Sequence, residues 1–130
     1  MQDSIFTKII NKEIPSYIIE ENDDFIAFLD VFPLAKGHTL VVPKKQTDYI
    51  FDVESSEYSN LWSFTKKVAH KVEAAIPCKR IGIAVIGLEV PHTHIHLVPI
   101  NDVSDINFSL PKLKLAEEDF FEIQNRINSK

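Results

Sequence analysis

The sequence predicts an α+β domain built on an antiparallel sheet. Two observations point there: five short runs of β type surround one long amphipathic helical stretch, and strands and helices do not alternate as parallel βαβ crossovers require. Size agrees, since 130 residues is the length of one domain and 45% hydrophobic content is enough for a single core. No internal repeat or linker interrupts the chain. Residues 1–130 therefore read as one domain, with a core over about 4–101 and a C-terminal extension over about 102–130.

Each element has a local reason. Ile5, Phe6, Ile9 and Ile10 carry a short helical pattern that Asp3 or Ser4 can cap and Pro15 stops. Residues 17–20 and 25–29 read as strands around the Asn22-Asp23-Asp24 turn, and residues 38–42 (HTLVV) as a β-branched strand closed by Pro43. Tyr58, Leu61, Trp62, Val68, Ala69, Val72 and Ile76 recur at three- and four-residue spacing. That marks the long helix, with Ser55 and Ser56 at the cap and Pro77 at the end. Residues 80–86 and 92–98 are the last two strands, and Phe120, Phe121, Ile123 and Ile127 mark a final helix near 116–128.

Composition excludes some classes of function. With 14 basic and 19 acidic residues the net charge is −5, which argues against broad electrostatic capture of nucleic acid. The apolar run 81–88 falls far short of the roughly 20 residues a membrane-spanning helix needs. The N-terminal MQDSIFTKII has no basic leader, and the single cysteine, Cys78, forms no internal disulfide, so the expected compartment is the reducing cytoplasm.

The chemistry lies in His92-Thr93-His94-Ile95-His96-Leu97-Val98, which holds three of the five histidines. On a strand, a spacing of two puts the three imidazoles on one face, about 7 Å apart, and leaves Thr93, Ile95 and Leu97 to pack on the other. Three neighbouring imidazoles are costly to desolvate, and they repel one another when charged. The residues alone leave three readings open: a solvated strand face, a metal site with Glu89 as the nearest upstream acid, and nucleophilic catalysis by one neutral imidazole. His70 reads as a surface residue on the long helix, Cys78 as a small buried hydrophobe, and Lys44 and Lys45 as a solvated pair.

The stretch from His92 to Val98, with KEIP at 12–15, AFLD at 27–30, GHTLVVPK at 37–44 and PHTHIHLVP at 91–99, resembles the histidine-triad (HIT) family over about residues 4–101. The resemblance implies a five-stranded antiparallel sheet with one long and one short helix, here followed by a C-terminal helical tail, and a homodimer joined at a sheet edge. It implies a hydrolase or transferase that cleaves a purine nucleotide or nucleotide conjugate at the α-phosphorus without a cofactor. His94 would be the nucleophile, His96 would contact the phosphate oxygens, His92 would fix the geometry, and His38 would lie beside them. A protonated His96 would offset developing phosphate charge. Phe6, Ile9, Ile14, Phe28 and Val31 match the apolar wall around the base, and Asp30 matches the acceptor of the ribose hydroxyls. Taken without the resemblance, the apolar five read as core and Asp30 as a turn residue.

Three departures qualify the match. Some relatives hold a structural zinc with two cysteines, a histidine and the first triad histidine; here the first three positions are Ser4, Thr7 and Gln46, so no metal is expected. The loop before the triad is only residues 87–91, where many relatives have a longer, glycine-rich stretch with phosphate donors. Glu89 stands where a serine or threonine would be, and so counts as a substrate-facing residue that would bring a negative charge near an anionic substrate. Two other classes of function compete: a nucleotide-binding sensor or partner module with little turnover, and a metal-dependent enzyme using the His-x-His-x-His face as ligands.

Overall fold

The structure, a computed structural model, describes residues 2–130. Helix α1 (Ile5–Ile10) is followed by strands β1 (Ile18–Glu21), β2 (Phe25–Leu29) and β3 (Thr39–Pro43). Helix α2 (Ser55–Ala75), strands β4 (Arg80–Ala84) and β5 (Ile95–Ile100), and helix α3 (Glu117–Asn128) complete the chain. All strand pairs are antiparallel and the order is β1-β2-β3-β5-β4, so the histidine-bearing strand lies inside the sheet, between β3 and β4.

The sheet has two apolar faces. Phe25, Ala27, Leu29, Val41, Ile95 and Leu97 turn toward α2 and α3, where Leu61, Phe64, Val68, Val72, Phe120, Ile123 and Ile127 meet them. The alternate residues Ile26, Phe28, Leu40 and Val42 turn to the opposite face and pack on Phe6 and Ile9 of α1. This period-two division also sends His96 to the α1 face while its neighbours Ile95 and Leu97 fill the core. The expectation that Ile95 and Leu97 pack on a helix is met.

Local boundaries differ from expectation for identifiable reasons. Glu54, rather than Ser55 or Ser56, caps α2, its carboxylate accepting from the N–H groups of Ser56 and Glu57. Strand β4 ends at Ala84, two residues early, and as an outer strand it leaves Ile83 half exposed. Strand β5 begins at Ile95, so His92, Thr93 and His94 precede it. The pairing of β3 with β5 covers only Thr39–Val41 against Leu97–Ile95. Beyond it β3 ends in Pro43, which has no N–H to offer a neighbour, and the imidazole of His92 bonds to its carbonyl instead. Thr93 is tied to the loop after β3, its N–H and its hydroxyl both donating to the Thr47 carbonyl at 2.7 Å.

The C-terminal helix closes the other edge. Tyr17 stacks on Phe120 with centroids 5.0 Å apart. Gln124 and Asn128 donate to the Ile18 carbonyl, and Lys71 donates to that of Ile19. Side chains thus occupy acceptors along β1, while β4 has no such cover among the described residues. Leu61 is fully buried between α2 and the sheet; Leu61→Ala should lower the unfolding free energy by about 2–5 kcal/mol. Urea denaturation measures this, and a loss below 1 kcal/mol would show that the α2–sheet contact is looser than described.

Candidate active site

Four buried histidines meet at the start of β5, on the α1 face. Their hydrogen bonds determine which nitrogen of each ring carries the proton, because several partners can play only one role. Carbonyl oxygens only accept and backbone N–H groups only donate.

His94 Nδ1 lies 2.7 Å from the carbonyl oxygen of His92. The proton is therefore on Nδ1, and Nε2 keeps its lone pair. His92 is the reverse: Nε2–H donates to the Pro43 carbonyl at 2.7 Å, and Nδ1 accepts from the Ser4 hydroxyl at 2.7 Å. At His38, Nδ1 accepts from the Leu34 N–H at 3.0 Å, so Nε2 carries the proton and donates to His96 Nδ1 at 3.0 Å. His96 is left with its proton on Nε2, facing outward as a donor. One relay thus runs from Leu34 through His38 to His96.

Burial keeps all four rings neutral. It lowers the pKa of His94, against the raising effects of the His92 carbonyl and the Glu89 charge. It lowers His92 too, with His94 adding to the effect and the Pro43 carbonyl opposing it. His38 is pushed down to about 3 by burial, His96 and Lys112, and His96 to about 4 by burial and His94. In the ligand-free protein His96 is therefore a neutral N–H donor, whereas the protonated ring expected beside phosphate refers to the substrate-bound site.

Most of the residues expected at the base end come together. Phe6, Ile9 and Phe28 form one cluster with Ile14 packed against it. The Phe6 ring lies 4.9 Å from that of His94 and 5.7 Å from that of Phe28. The same apolar cluster packs the α1 face of the sheet and lies against the histidines. Val31 does not join them; it follows β2 where the chain leaves the sheet, and it is half exposed. Asp30 is a turn residue that also reaches the histidine cluster. One carboxylate oxygen accepts the Phe32 N–H at 2.8 Å, and the other lies 3.5 Å from His38 Nε2. Burial raises its pKa, while the Phe32 N–H and Lys112 pull it down. Glu89 is exposed, and its charge still reaches His94.

Ser4, Thr7 and Gln46 form a hydrogen-bonded knot on His92. Gln46 Oε1 accepts from the Ser4 N–H and the Thr7 hydroxyl, each at 3.0 Å, and Ser4 Oγ accepts the Thr7 N–H while donating to His92. Two hydroxyls and an amide, already satisfied by one another, do not fit zinc. The sequence showed the missing thiolates but not this replacement. A second cluster, Asp30, His38 and His96, has ligand atoms within 4.8 Å of one another. To ligate a cation through Nε2, His38 would have to give up the proton that it donates to His96. Its Nδ1 already accepts from Leu34, so the ring would become an imidazolate. The relay therefore disfavours a metal there. His70 is a surface residue as expected, whereas Cys78 is only partly buried and Lys44 pairs with Glu21 at 2.8 Å.

Residues 11–103 match the HIT domain. Over 98% of both chains, the protein is 35% identical to an uncharacterized HIT-like protein of Borreliella burgdorferi. It is 34% identical to an adenosine 5′-monophosphoramidase of Saccharomyces cerevisiae, over 75% of this chain and 63% of that one. A HIT-like protein from Bartonella henselae, described as involved in cell-cycle regulation, superimposes with a TM-score of 0.84 at 30% identity, covering 98% of this chain and 95% of that one. A sheet of this order with buried histidines at the mouth of its inner strand defines a class, and this chain belongs to the HIT family.

The neutral histidines predict an acid-labile fold. The unfolded chain binds protons at His38 and His96 near their ordinary value of 6.5, and the folded chain only near 3 and 4. Between those limits the unfolded state holds more protons, so stability is full above pH 6.5 and falls as pH drops toward 4. Asp30, with its raised pKa, acts in the opposite sense, but only in the carboxylate range. Thermal melts at pH 7.5 and pH 5 should show a clearly lower Tm at pH 5. An unchanged Tm would mean that the rings are solvated and titrate normally.

Proposed function

We propose that this protein is a HIT-type nucleotidyl hydrolase or transferase that cleaves a purine nucleotide conjugate at its α-phosphorus. The observation that carries this reading is the 2.7 Å bond from His94 Nδ1 to the His92 carbonyl, which leaves Nε2 as a neutral nucleophile beside an apolar base wall. The phosphoramidase activity named for the yeast relative supports a nucleoside phosphoramidate as the substrate class.

The chemistry follows from the proton positions. His94 Nε2 gives its lone pair to phosphorus as the bond to the leaving group breaks. The leaving group keeps the electron pair of the broken bond and takes a proton from solvent, to which the attacking water later returns one. The ring now carries a positive charge with its Nδ1 proton in place. The His92 carbonyl, bonded to a charged donor, is worth more at that moment than in the resting state. His96 Nε2–H donates to a phosphoryl oxygen as charge builds there, oriented by the relay from His38. Phe6, Ile9, Ile14 and Phe28 hold the base, and Asp30 accepts from the ribose hydroxyls. Water then attacks phosphorus and restores neutral His94. On the other side of His94 lies a cavity of about 380 Å³, lined by Tyr49, Phe51, Trp62, Ile86 and Leu88, which suits a leaving group. No cofactor or metal is required. The free thiol of Cys78 suits a cytoplasmic protein, and no described helix is long and apolar enough to cross a membrane.

His94→Ala should reduce turnover of adenosine phosphoramidate at least about a thousandfold while leaving nucleoside affinity unchanged. An acid quench of the wild type with labelled substrate should trap the label on His94. Near-normal turnover by the variant would refute the mechanism. Glu89 disfavours further phosphates by repulsion and favours an amine leaving group. Glu89→Gln should improve the specificity constant for dinucleoside polyphosphates relative to phosphoramidates by roughly fivefold, equivalent to about 1 kcal/mol between screened charges. An unchanged ratio would mean that the carboxylate turns to solvent.

A homodimer completes the reading. Strand β4 is an uncovered edge, with half-exposed Ile83 beside a groove lined by Trp62, Ala69 and Ile81. Pairing of this edge and the flank of α2 with a second copy would cover both. Light scattering at micromolar concentration should give about 30 kDa, twice the chain mass of 14.9 kDa. A monomer mass would remove the dimer and leave the catalytic reading intact.

A further inference from the structure

The segment that follows β5, residues 107–113, lies beyond the stretch that matches the HIT domain. Its chain is held at several points. Asn107 Oδ1 accepts from the Ser109 N–H at 3.0 Å and from its hydroxyl at 2.6 Å. Lys112 Nζ donates to the carbonyls of Phe108 at 2.6 Å and Leu110 at 3.1 Å. The Leu113 N–H donates to the Pro33 carbonyl at 2.8 Å.

Phe108, held within this turn, belongs to neither apolar cluster of the fold. Its ring lies edge-on to His96, with centroids 4.7 Å apart, and 6.1 Å from that of His38. His96 is also flanked by the His94 ring at 5.1 Å and the His38 ring at 5.2 Å. One hydrogen bond, from His38, reaches His96, and a single bond at Nδ1 leaves the ring free to swing. Phe108 packs edge-on against that ring at a distance that limits such a swing. Because Leu113 bonds to Pro33, the segment is joined to the loop that positions Asp30 and His38.

We infer that Phe108 is a positioning residue for His96, held in place by Lys112, so that residues 107–113 form a wall of the active site. The inference rests on the proposed function only for the meaning of His96, and its geometry stands without it. Phe108 dictates where the Nε2–H of His96 points. It also contributes to the burial that, with His94, keeps the ring neutral. The charged and titratable groups around His96 are His94 and His38 at its edges, with Asp30 and Lys112 beyond them.

Phe108→Ala, Phe108→Leu and Lys112→Met test this in the intact protein, by turnover of adenosine phosphoramidate, by thermal melting and by NMR titration of His96 without ligand. For Phe108→Ala the expected result is a kcat lowered at least tenfold, a KM within about twofold of wild type and a nearly unchanged Tm. His96 should also titrate at higher pH than in the wild type. Leucine should restore most of kcat, and Lys112→Met should shift the titration in the same direction as alanine. An unchanged kcat in Phe108→Ala, or a fall in kcat and Tm together with His96 titrating as in the wild type, would overturn the inference. The titration needs no substrate. It therefore decides the role of Phe108 even if the wild type fails to turn over the phosphoramidate, a failure that would count against the proposed function alone.

Discussion

A carbonyl oxygen accepts hydrogen bonds and never donates them, and that single constraint organises the site. The His92 carbonyl obliges His94 to keep its proton on Nδ1, which frees Nε2. The same rule applied at Pro43 and the opposite rule at Leu34, where an N–H can only donate, assign His92, His38 and His96 in turn. One ring with a free Nε2 lone pair, one with an outward Nε2–H and their supports follow from fixed backbone groups rather than from charge. Burial then keeps every ring neutral, so the resting site stores no repulsion among its histidines.

Those backbone groups are in place because of the fold. The bonded stretch of β3 and β5 stops before Pro43, and the resulting gap is where the His92 side chain enters. Thr93 anchors the same stretch to Thr47, while Ile95 and Leu97 lock the following strand into the core. The knot of Ser4, Thr7 and Gln46 joins α1 to the loop after β3 through His92. Helix α1 therefore carries Phe6 against the ring of His94 as a consequence of how its own N-terminus is capped.

Much of this was legible in the sequence, for physical reasons that differ by residue. Strand β2 was readable to the residue because its five residues form a continuous apolar run, buried on both faces and bounded by the Asn22 turn and Asp30. The long helix was readable from its spacing, and the gathering of His38 with the three triad histidines followed from family-like motifs. Strand β5 was misplaced because histidines at alternate positions look like a strand whether their backbone groups join a ladder or bond elsewhere. Val31 lies apart from the apolar cluster because it just follows the strand end, where an apolar side chain carries no sign of how the chain turns. The neutrality of His96 in the ligand-free site had no sign in the sequence, because burial, which sets it, is a property of the packed site. Phe108 had no periodic partner, and only the folded turn brings it to His96.

The central claim is the proton arrangement of the four rings, and nitrogen-15 NMR of the ligand-free protein at neutral pH tests it most directly. His94 should be the one ring of the four protonated at Nδ1, while His38, His92 and His96 carry their protons at Nε2. A His94 protonated at Nε2, or at both nitrogens, would leave no lone pair on Nε2 to attack phosphorus and would contradict the account.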